Sequence, residues 1–397
     1  MVWLLEQAAV ALLLLAAGPS PSTPDTTSLV ERAGSCGPVV SEPLAEAPWA
    51  LARLRPDLAW PLSQGAGVTV AVIDSGVSPD HPSLAGKVLP GLDLVDTGTG
   101  QCDENGHGTL VAGIIAAAPT VSGGYRFHGV APQASIVPIR VARDQRRTYD
   151  TQLSDLIAQA MTWAVDYGGA DVINLSLTTP PTPSLAEAVR HALDRGAVIV
   201  AAAGNEGETG RGMVAYPAAY AGVIAVAGTD TRDQHVATSS TGEHVDVAAP
   251  GVRIAGPAAA GGGFLFSADG GTSFATAYVS GVVALVRAYD PQLAPAEVAT
   301  RITSTAQHPP GGWDPQVGYG VVDPARAVGT LAPDQATSGE ASDAEPGLAP
   351  PVRPQSTDDG LGTVALWVAV AGALATVAVI VAVPVSRRHR ARYGRPR

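Results

Sequence analysis

The sequence predicts an α/β fold with three layers, in which a mainly parallel central sheet is covered by helices on both faces. Two observations carry this prediction, and a third adds a further element. Apolar, β-branched runs such as residues 67–74 lack the polar alternation of half-exposed strands, which is typical of strands buried on both faces. Helical patterns separate these runs, as parallel strands require. A run of 25 residues without a charge, 361–385, additionally predicts a C-terminal transmembrane helix.

The first sixty residues predict two segments that precede the folded domain. An apolar stretch at 8–17 is followed by small residues and prolines, a pattern typical of a signal peptide over residues 1–19. Residues 20–60 are rich in proline and show little hydrophobic periodicity. We interpret them as an N-terminal extension outside the main domain.

Residues 61–330 contain the alternating elements of the predicted domain. Leu153 to Val165 shows helical spacing of apolar residues, and the amphipathic pattern at 184–196 ends at Gly196, a common residue after the last turn of a helix. The strand-like runs are 67–74, 135–141, 171–177, 197–205, 223–229 and 245–251. Neither a G-x-G-x-x-G nor a Walker sequence occurs, so nucleotide binding has no support.

The C-terminal segments predict attachment to a membrane. Residues 331–360 are rich in proline, alanine, serine, glycine and acids, as in a solvated linker. The run at 361–385 exceeds the roughly 20 residues that span a bilayer. Six arginines stand in the basic tail 386–397, so the positive-inside tendency places this tail in the cytoplasm. The domain before the span then lies outside the cytoplasm.

The charge of the chain argues against nucleic-acid binding. The formal net charge is −12 although the tail contributes six arginines, so the rest of the chain carries −18. An acidic domain repels the phosphate backbone. The chain has two cysteines, Cys36 and Cys102. An even pair in an exported chain predicts one disulfide, with two free thiols as the alternative.

Three polar residues at the ends of predicted elements are candidates for chemistry. Asp74 ends the first strand, His107 stands between two glycines before a small-residue helix, and Ser273 opens the apolar helix of "GGTSFATAYVSGVVALV". Each has an ordinary structural interpretation when taken alone: a turn aspartate, a structural histidine and a helix cap. Together, in the order Asp, His, Ser, they supply the orienting acid, the base and the nucleophile of acyl transfer.

A fourth residue completes this hypothesis. Asn205 ends a predicted strand of alanines and valines, where its amide side chain has no apolar partner. We expect it to donate to the oxyanion together with the backbone N–H of Ser273. The residues flanking Ser273 do not form the G-x-S-x-G elbow of lipases and esterases.

The segments "VAVIDSGV", "NGHGTLVAGIIAA", "AAAGNEG" and "GGTSFATAYVSGVVAL" resemble the Asp, His, oxyanion-Asn and Ser motifs of the subtilisin-like serine proteases. The resemblance covers about residues 60–330 and implies a subtilisin-like fold and endopeptidase activity on an extended peptide. It implies that Ser176 and Leu177 lie along the substrate backbone and that Gly204 lines the substrate pocket. It also implies that the loop in the 140s lines the other side of the substrate.

A narrower resemblance is to the mycosins, membrane-anchored proteases of this type in type VII secretion systems. It rests on "GHGTLVAGI", the signal peptide, the C-terminal span and the basic tail. It implies that a disulfide joins Cys36 to Cys102, just before His107. The extension is too short and irregular for a folded inhibitory pro-domain, so we expect activity without its removal.

The expected function is therefore a single-pass, membrane-anchored serine endopeptidase of the cell membrane that cleaves exported proteins, with secretion-complex subunits as partners. The alternative is a mainly structural subunit in which catalysis is secondary. No cofactor and no metal are expected, because no set of carboxylates has the spacing of a calcium loop. Asp103 and Glu104, near His107, are interpreted as solvated loop charge.

Overall fold

The computed structural model describes residues 36–143, 150–207 and 214–330. The predicted signal peptide 1–19, linker 331–360, transmembrane helix 361–385 and basic tail 386–397 lie outside these described residues. The chain divides into units 1–333 and 334–397, and every described residue belongs to the first. Within the described ranges, no helix combines the length and the hydropathy needed to cross a bilayer.

A seven-stranded sheet forms the centre of the described unit. Its strand order is β2-β5-β1-β6-β7-β8-β9, and every neighbouring pair is parallel. The strands are β1 Thr69–Asp74, β2 Leu92–Asp93, β5 Ser135–Arg140, β6 Val172–Leu175, β7 Val198–Ala202, β8 Val223–Thr229 and β9 Val247–Pro250. Two small antiparallel pairs lie apart from it: β3 Thr120–Ser122 with β4 Tyr125–Phe127, and β10 Ile254–Pro257 with β11 Phe264–Ser267.

Helices cover both faces of the sheet, as the sequence predicted. The helices are α1 Trp49–Leu54, α2 His107–Ala116, α3 Thr151–Asp166, α4 Pro183–Asp194, α5 Thr272–Tyr289, α6 Pro295–Thr305 and α7 Pro324–Gly329. One core contains residues of α3 and α4, and the other contains residues of α2, α5 and α6. Strand β1 contributes Val70 and Val72 to the second core, and Ala71 and Ile73 to the first. Its apolar run is continuous because both faces are buried.

The order of the strands places a crevice at the ends of β1 and β6. Strand β1 pairs with β5 on one side and with β6 on the other, so the chain changes direction across the sheet between β5 and β6. In open parallel sheets, such a switch point leaves a crevice beyond the carboxyl ends of the strands. Asp74 ends β1 there, and Ser176 directly follows β6.

The N-terminal extension contains more structure than the sequence predicted. Val39 forms a bridge with Ala260, and the Val40 carbonyl accepts a hydrogen bond from Gly263 N at 2.8 Å. The short helix α1 follows, with Leu51 and Leu54 in the core. Sequence periodicity missed α1 because six residues are too few to show a helical pattern above the background of prolines.

Candidate active site

Asp74 is buried where β1 meets the crevice. It is 1% exposed, because the strand that carries it lies in the middle of the sheet. Its Oδ1 accepts a hydrogen bond from Ser75 N at 2.7 Å and lies 2.8 Å from His107 Nδ1. A carboxylate at this position determines which imidazole nitrogen carries the proton: Nδ1 donates to Asp74, and Nε2 is left as the basic nitrogen.

His107 is the first residue of α2, and the glycines around it explain how it reaches Asp74. Gly106 precedes the helix with φ +87°, a conformation that side chains disfavour. A Cβ on Gly108 would lie 2.1 Å from the carbonyl oxygen of Gly76. Only glycine at position 108 therefore lets the first turn of α2 approach the chain that follows Asp74.

The surroundings of His107 change its basicity in two directions. Burial of the imidazole lowers its pKa, while the charge and the hydrogen bond of Asp74, with a further contribution from the charge of Asp103, raise it. The net result is a pKa above the ordinary value of 6.5. Carboxylates nearby favour the imidazolium, as expected for opposite charges at short range.

The prediction of solvated loop charge is wrong for Asp103. Asp103 is fully buried, and its two oxygens accept hydrogen bonds from Ser75 Oγ and Gly106 N, both at 2.8 Å, and from the N–H and hydroxyl of Thr109 at 2.8 and 2.6 Å. Burial raises the pKa of its carboxyl, and these donors oppose the rise. The carboxylate thus ties the start of α2 to the end of β1.

Glu104 does lie at the surface, as expected, and pairs with Arg140 and Arg143 at 3.0 and 2.9 Å. Across the described ranges, no group of three or more His, Cys, Asp or Glu side chains has the arrangement of a metal site.

Ser273 lies in the first turn of α5, which is buried from Thr272 to Arg287. The serine is 7% exposed, and its Oγ donates to the carbonyl of Ser176 at 2.9 Å. Gly270, before the helix, has φ +65°, and a Cβ there would lie 1.7 Å from the Gly251 oxygen. The glycines therefore allow a close backbone approach that presents Ser273. Phe274 packs against the ring of His107, with 5.4 Å between centroids.

Asn205 lies at the surface beside the same helix terminus. Its Oδ1 accepts hydrogen bonds from Thr272 N at 2.9 Å and from Thr272 Oγ1 at 3.0 Å. These bonds fix the amide so that Nδ2 is the group available to donate. The first N–H groups of a helix have no intrahelical partners, so the N–H of Ser273 can point to the same region as Asn205 Nδ2.

The three predicted substrate-binding residues are all buried or nearly so, and they differ in what they contact. Ser176 exchanges hydrogen bonds with Ser273, since its hydroxyl also donates to the Ser273 carbonyl at 2.7 Å. Gly204 has φ +109°, and its carbonyl oxygen lies 3.3 Å from Thr272 Oγ1, sharing with Asn205 Oδ1 the one hydrogen of that hydroxyl. Leu177 packs in the core that contains α3 and α4. Their contact with substrate stays a prediction.

The predicted disulfide is present. Cys36 and Cys102 are bonded, with Cα atoms 5.0 Å apart. The bond attaches the extension to the segment that continues through Asp103 to His107. It excludes the alternative of two free thiols.

The sequence interpretation missed Asn174, which lies in the middle of β6 and is fully buried. Its signal was visible, because an amide inside the apolar run "DVINLSL" needs hydrogen-bond partners. Those partners, Ser176 and Ser280, belong to the surroundings of Ser273. As a whole, the arrangement offers a base held by a carboxylate, a hydroxyl at a helix N-terminus and two N–H donors, the groups that acyl transfer uses.

Comparison with known proteins gives the same picture. The model of the Subtilase family matches residues 65–320. Mycosin-4 of Mycobacterium tuberculosis is 38% identical over 375 residues, which are 85% of this chain and 81% of that protein. The crystal structure of MycP1 from Mycobacterium smegmatis is 34% identical, with a TM-score of 0.66, and the match covers 76% of this chain and 89% of that one.

A chain in the structure of the periplasmic assembly from the ESX-5 inner membrane complex is 30% identical, with a TM-score of 0.64. This match covers 82% of the present chain and 94% of that one. The chain described here belongs to the Subtilase family of serine proteases and is homologous to the mycosins.

Proposed function

We propose that this subtilase is a membrane-anchored serine endopeptidase that cleaves exported proteins outside the cytoplasm as a component of a type VII secretion system. The observation that carries the proposal is the 2.8 Å contact between Asp74 Oδ1 and His107 Nδ1. Beside it, Phe274 packs on the imidazole, so the first turn of α5, which contains Ser273, lies next to the base.

The proposed reaction starts with a rotation of the Ser273 hydroxyl. The hydroxyl now donates to the Ser176 carbonyl, and in the proposed step the side chain turns about Cα–Cβ so that the hydroxyl donates to His107 Nε2 instead. The imidazole takes the proton while Oγ attacks the peptide carbonyl, and Asp74 stabilises the imidazolium through Nδ1. His107 then gives the proton to the leaving amine. Water, deprotonated by the same nitrogen, then attacks the acyl carbon. The bond between this carbon and Ser273 Oγ breaks, and His107 returns the proton to Oγ.

The negative charge on the carbonyl oxygen forms near the N-terminus of α5. Asn205 Nδ2 and the N–H of Ser273 are the proposed donors. The bonds from Thr272 to Asn205 Oδ1 hold the amide before substrate arrives, so little reorganisation is needed during the reaction. The positive end of the helix dipole adds to this stabilisation.

The role in secretion is supported by the proteins that the chain resembles. Mycosin-4 matches over most of both chains, and the ESX-5 periplasmic assembly contains a similar chain. We propose secretion-complex subunits and exported proteins as partners, residues 61–330 as the peptidase domain and 361–385 as the single membrane span. With the tail 386–397 in the cytoplasm, the peptidase domain lies on the other side of the membrane.

The first test is active-site labelling of the full-length chain, purified in detergent, with a fluorescent fluorophosphonate. Wild-type protein is expected to react, while Ser273→Ala and His107→Ala do not. Ser41→Ala, at an exposed position, is the matched serine control and is expected to label like wild type. Absence of labelling in a folded wild-type chain would contradict the proposed enzyme.

A secretion assay separates the enzyme from the structural alternative. Cells that lack the gene are complemented with wild type or with Ser273→Ala. If the proposal holds, Ser273→Ala leaves uncleaved substrate outside the cell. Full complementation by Ser273→Ala, with unchanged processing of every exported protein, would instead favour a mainly structural subunit.

A further inference from the structure

A line of buried polar side chains runs between β6 and α5, behind the proposed nucleophile. We call Asn174, Ser176 and Ser280 the β6–α5 seam. All three are 0% exposed, although Asn174 stands among the apolar residues of a central strand. Burying an amide and two hydroxyls is unfavourable unless each is hydrogen-bonded.

The hydrogen bonds of the seam run in one direction. Ser176 Oγ donates to the Ser273 carbonyl at 2.7 Å, which can only accept. The single hydrogen of this hydroxyl is thereby used, so Ser176 Oγ accepts from Asn174 Nδ2 at 3.0 Å. Asn174 Oδ1 in turn accepts from Ser280 Oγ at 2.9 Å. The amide orientation therefore follows from the network itself.

The seam attaches α5 to the end of β6 at two points, two helical turns apart. Ser273 and Ser280 are separated by seven residues and so lie on the same face of the helix. Ser176 holds Ser273 twice, since its carbonyl also accepts from Ser273 Oγ. Apolar packing is non-directional, whereas these bonds fix the position of the helix along its axis.

We infer that Asn174 is a positioning residue, which acts through Ser176 to hold the backbone and hydroxyl of Ser273 at the place where the reaction needs them. This inference rests on the proposed function. Nucleophile, oxyanion donor and base must meet within a fraction of an ångström, and a misplacement of about 1 Å reduces rates by about 10²-fold. Asn174 touches neither substrate nor His107 in this role.

The test uses the full-length chain with the single variants Asn174→Leu, Ser280→Ala and Ser176→Ala and with the double variant of Asn174 and Ser176. Asn174→Leu keeps the volume but removes both bonds, and it is expected to lower kcat and the rate of fluorophosphonate labelling by roughly 10- to 100-fold, with KM within about twofold of wild type. Ser280→Ala removes only the more distant bond and is expected to cause a smaller loss. In the double variant, kcat and the labelling rate should fall no further than in the more damaging single variant. The two effects should not add, because Asn174 acts on Ser273 through Ser176.

Ser63 supplies the matched control. Its Oγ donates to the carbonyl of Leu285 at 2.7 Å, a bond of the same kind and length on the same helix, but far from Ser273. Ser63→Ala is expected to lower the melting temperature and leave labelling unchanged. Labelling of folded Asn174→Leu within about threefold of wild type would overturn the inference. If Asn174→Leu does not fold, Ser280→Ala provides the test: labelling equal to that of wild type would overturn the inference.

Amide hydrogen exchange separates this inference from the proposed function. In Asn174→Leu, exchange is expected to accelerate over residues 272–276 relative to Ser63→Ala, whether or not the chain is an active protease. A wild-type chain that does not label would refute the proposed function alone. Unchanged exchange over 272–276 would refute the positioning role of Asn174.

Discussion

The two sides of the candidate site are held by different forces. On the Asp74–His107 side, two buried carboxylates, Asp74 and Asp103, surround the start of α2 and raise the pKa of the imidazole. On the Ser273 side, every described bond to Ser273 and Asn205 is neutral: hydroxyl to carbonyl, or N–H and hydroxyl to amide oxygen.

The two sides therefore have different roles: one sets the protonation of His107, and the other sets the position of Ser273. Charge fixes protonation, because Coulomb energy in a buried site changes which form of His107 is stable. Neutral hydrogen bonds fix distance, because they are directional and do not titrate in the range where proteins work. We therefore expect the charged side to govern the pH dependence of the activity and the neutral side to govern the rate at optimal pH.

Removing the charge of Asp74 is expected to cause the largest loss of activity among the changes proposed for the two sides. Asp74→Asn keeps the shape but favours the wrong tautomer of His107, and should lower kcat by about 10⁴-fold, as in other Ser-His-Asp triads. Steady-state hydrolysis of a peptide measures it. Asp155→Asn, at an exposed position, is the control. A loss below tenfold would show that Asp74 does not orient the base.

On the neutral side, Asn205→Ala is expected to lower kcat by about 10²–10³-fold, or about 2.7–4 kcal/mol, a magnitude measured on a subtilisin, a member of the same family. Asn205→Asp distinguishes the two roles of the side chain, donation to the oxyanion and anchoring by Thr272. The aspartate keeps the oxygen that accepts from Thr272 and loses the NH₂ group that would donate. The loss in Asn205→Asp is expected to be at least as large as in Asn205→Ala, because the donor is gone and the carboxylate repels the oxyanion. Near-normal kcat in that variant would leave Asn205 only an anchoring role.

Removing the disulfide tests whether the position of His107 depends on the attachment of the N-terminal extension. Replacing Cys36 and Cys102 by serine should lower the free energy of unfolding by about 2–4 kcal/mol, because the unfolded chain gains freedom. Denaturant unfolding measures this loss. The fluorophosphonate rate of the folded variant is expected to stay within about twofold of wild type. A large loss of rate without a loss of stability would mean that the bond positions His107.

The smallest expected effect is a shift in the pH dependence of kcat/KM when Asp103 loses its charge. His107 acts as a base only when neutral, and its pKa is raised. As pH falls, kcat/KM should therefore reach half of its maximum above pH 6.5. Asp103→Asn should move this midpoint to lower pH, because one of the charges that raise the pKa is gone, whereas Asn205→Ala should leave it in place. A shift in Asn205→Ala would contradict the division between the two sides.

Local patterns in the sequence were sufficient for the elements that carry the site. Continuous apolar runs predicted the buried strands before Asp74 and Asn205, and small-residue spacing predicted the helices that start at His107 and near Ser273. Such patterns can be recognised because a strand buried on both faces is a continuous apolar run, and a helix places its apolar residues at a spacing of three or four. The pairing of Cys36 with Cys102 followed from their being the only two cysteines.

Tertiary structure decided the environment of those residues. The sequence shows Asp103 beside Glu104 in a polar loop, but only the packing of α2 against β1 makes one of them buried and the other exposed. Asn174 meets Ser280, 106 residues away, for the same reason. Hydrogen bonds and pKa values depend on neighbours brought from distant parts of the chain. The sequence by itself therefore determined which groups are present at each strand and helix end, and the fold decided which of them are buried, how they are paired and how they are charged.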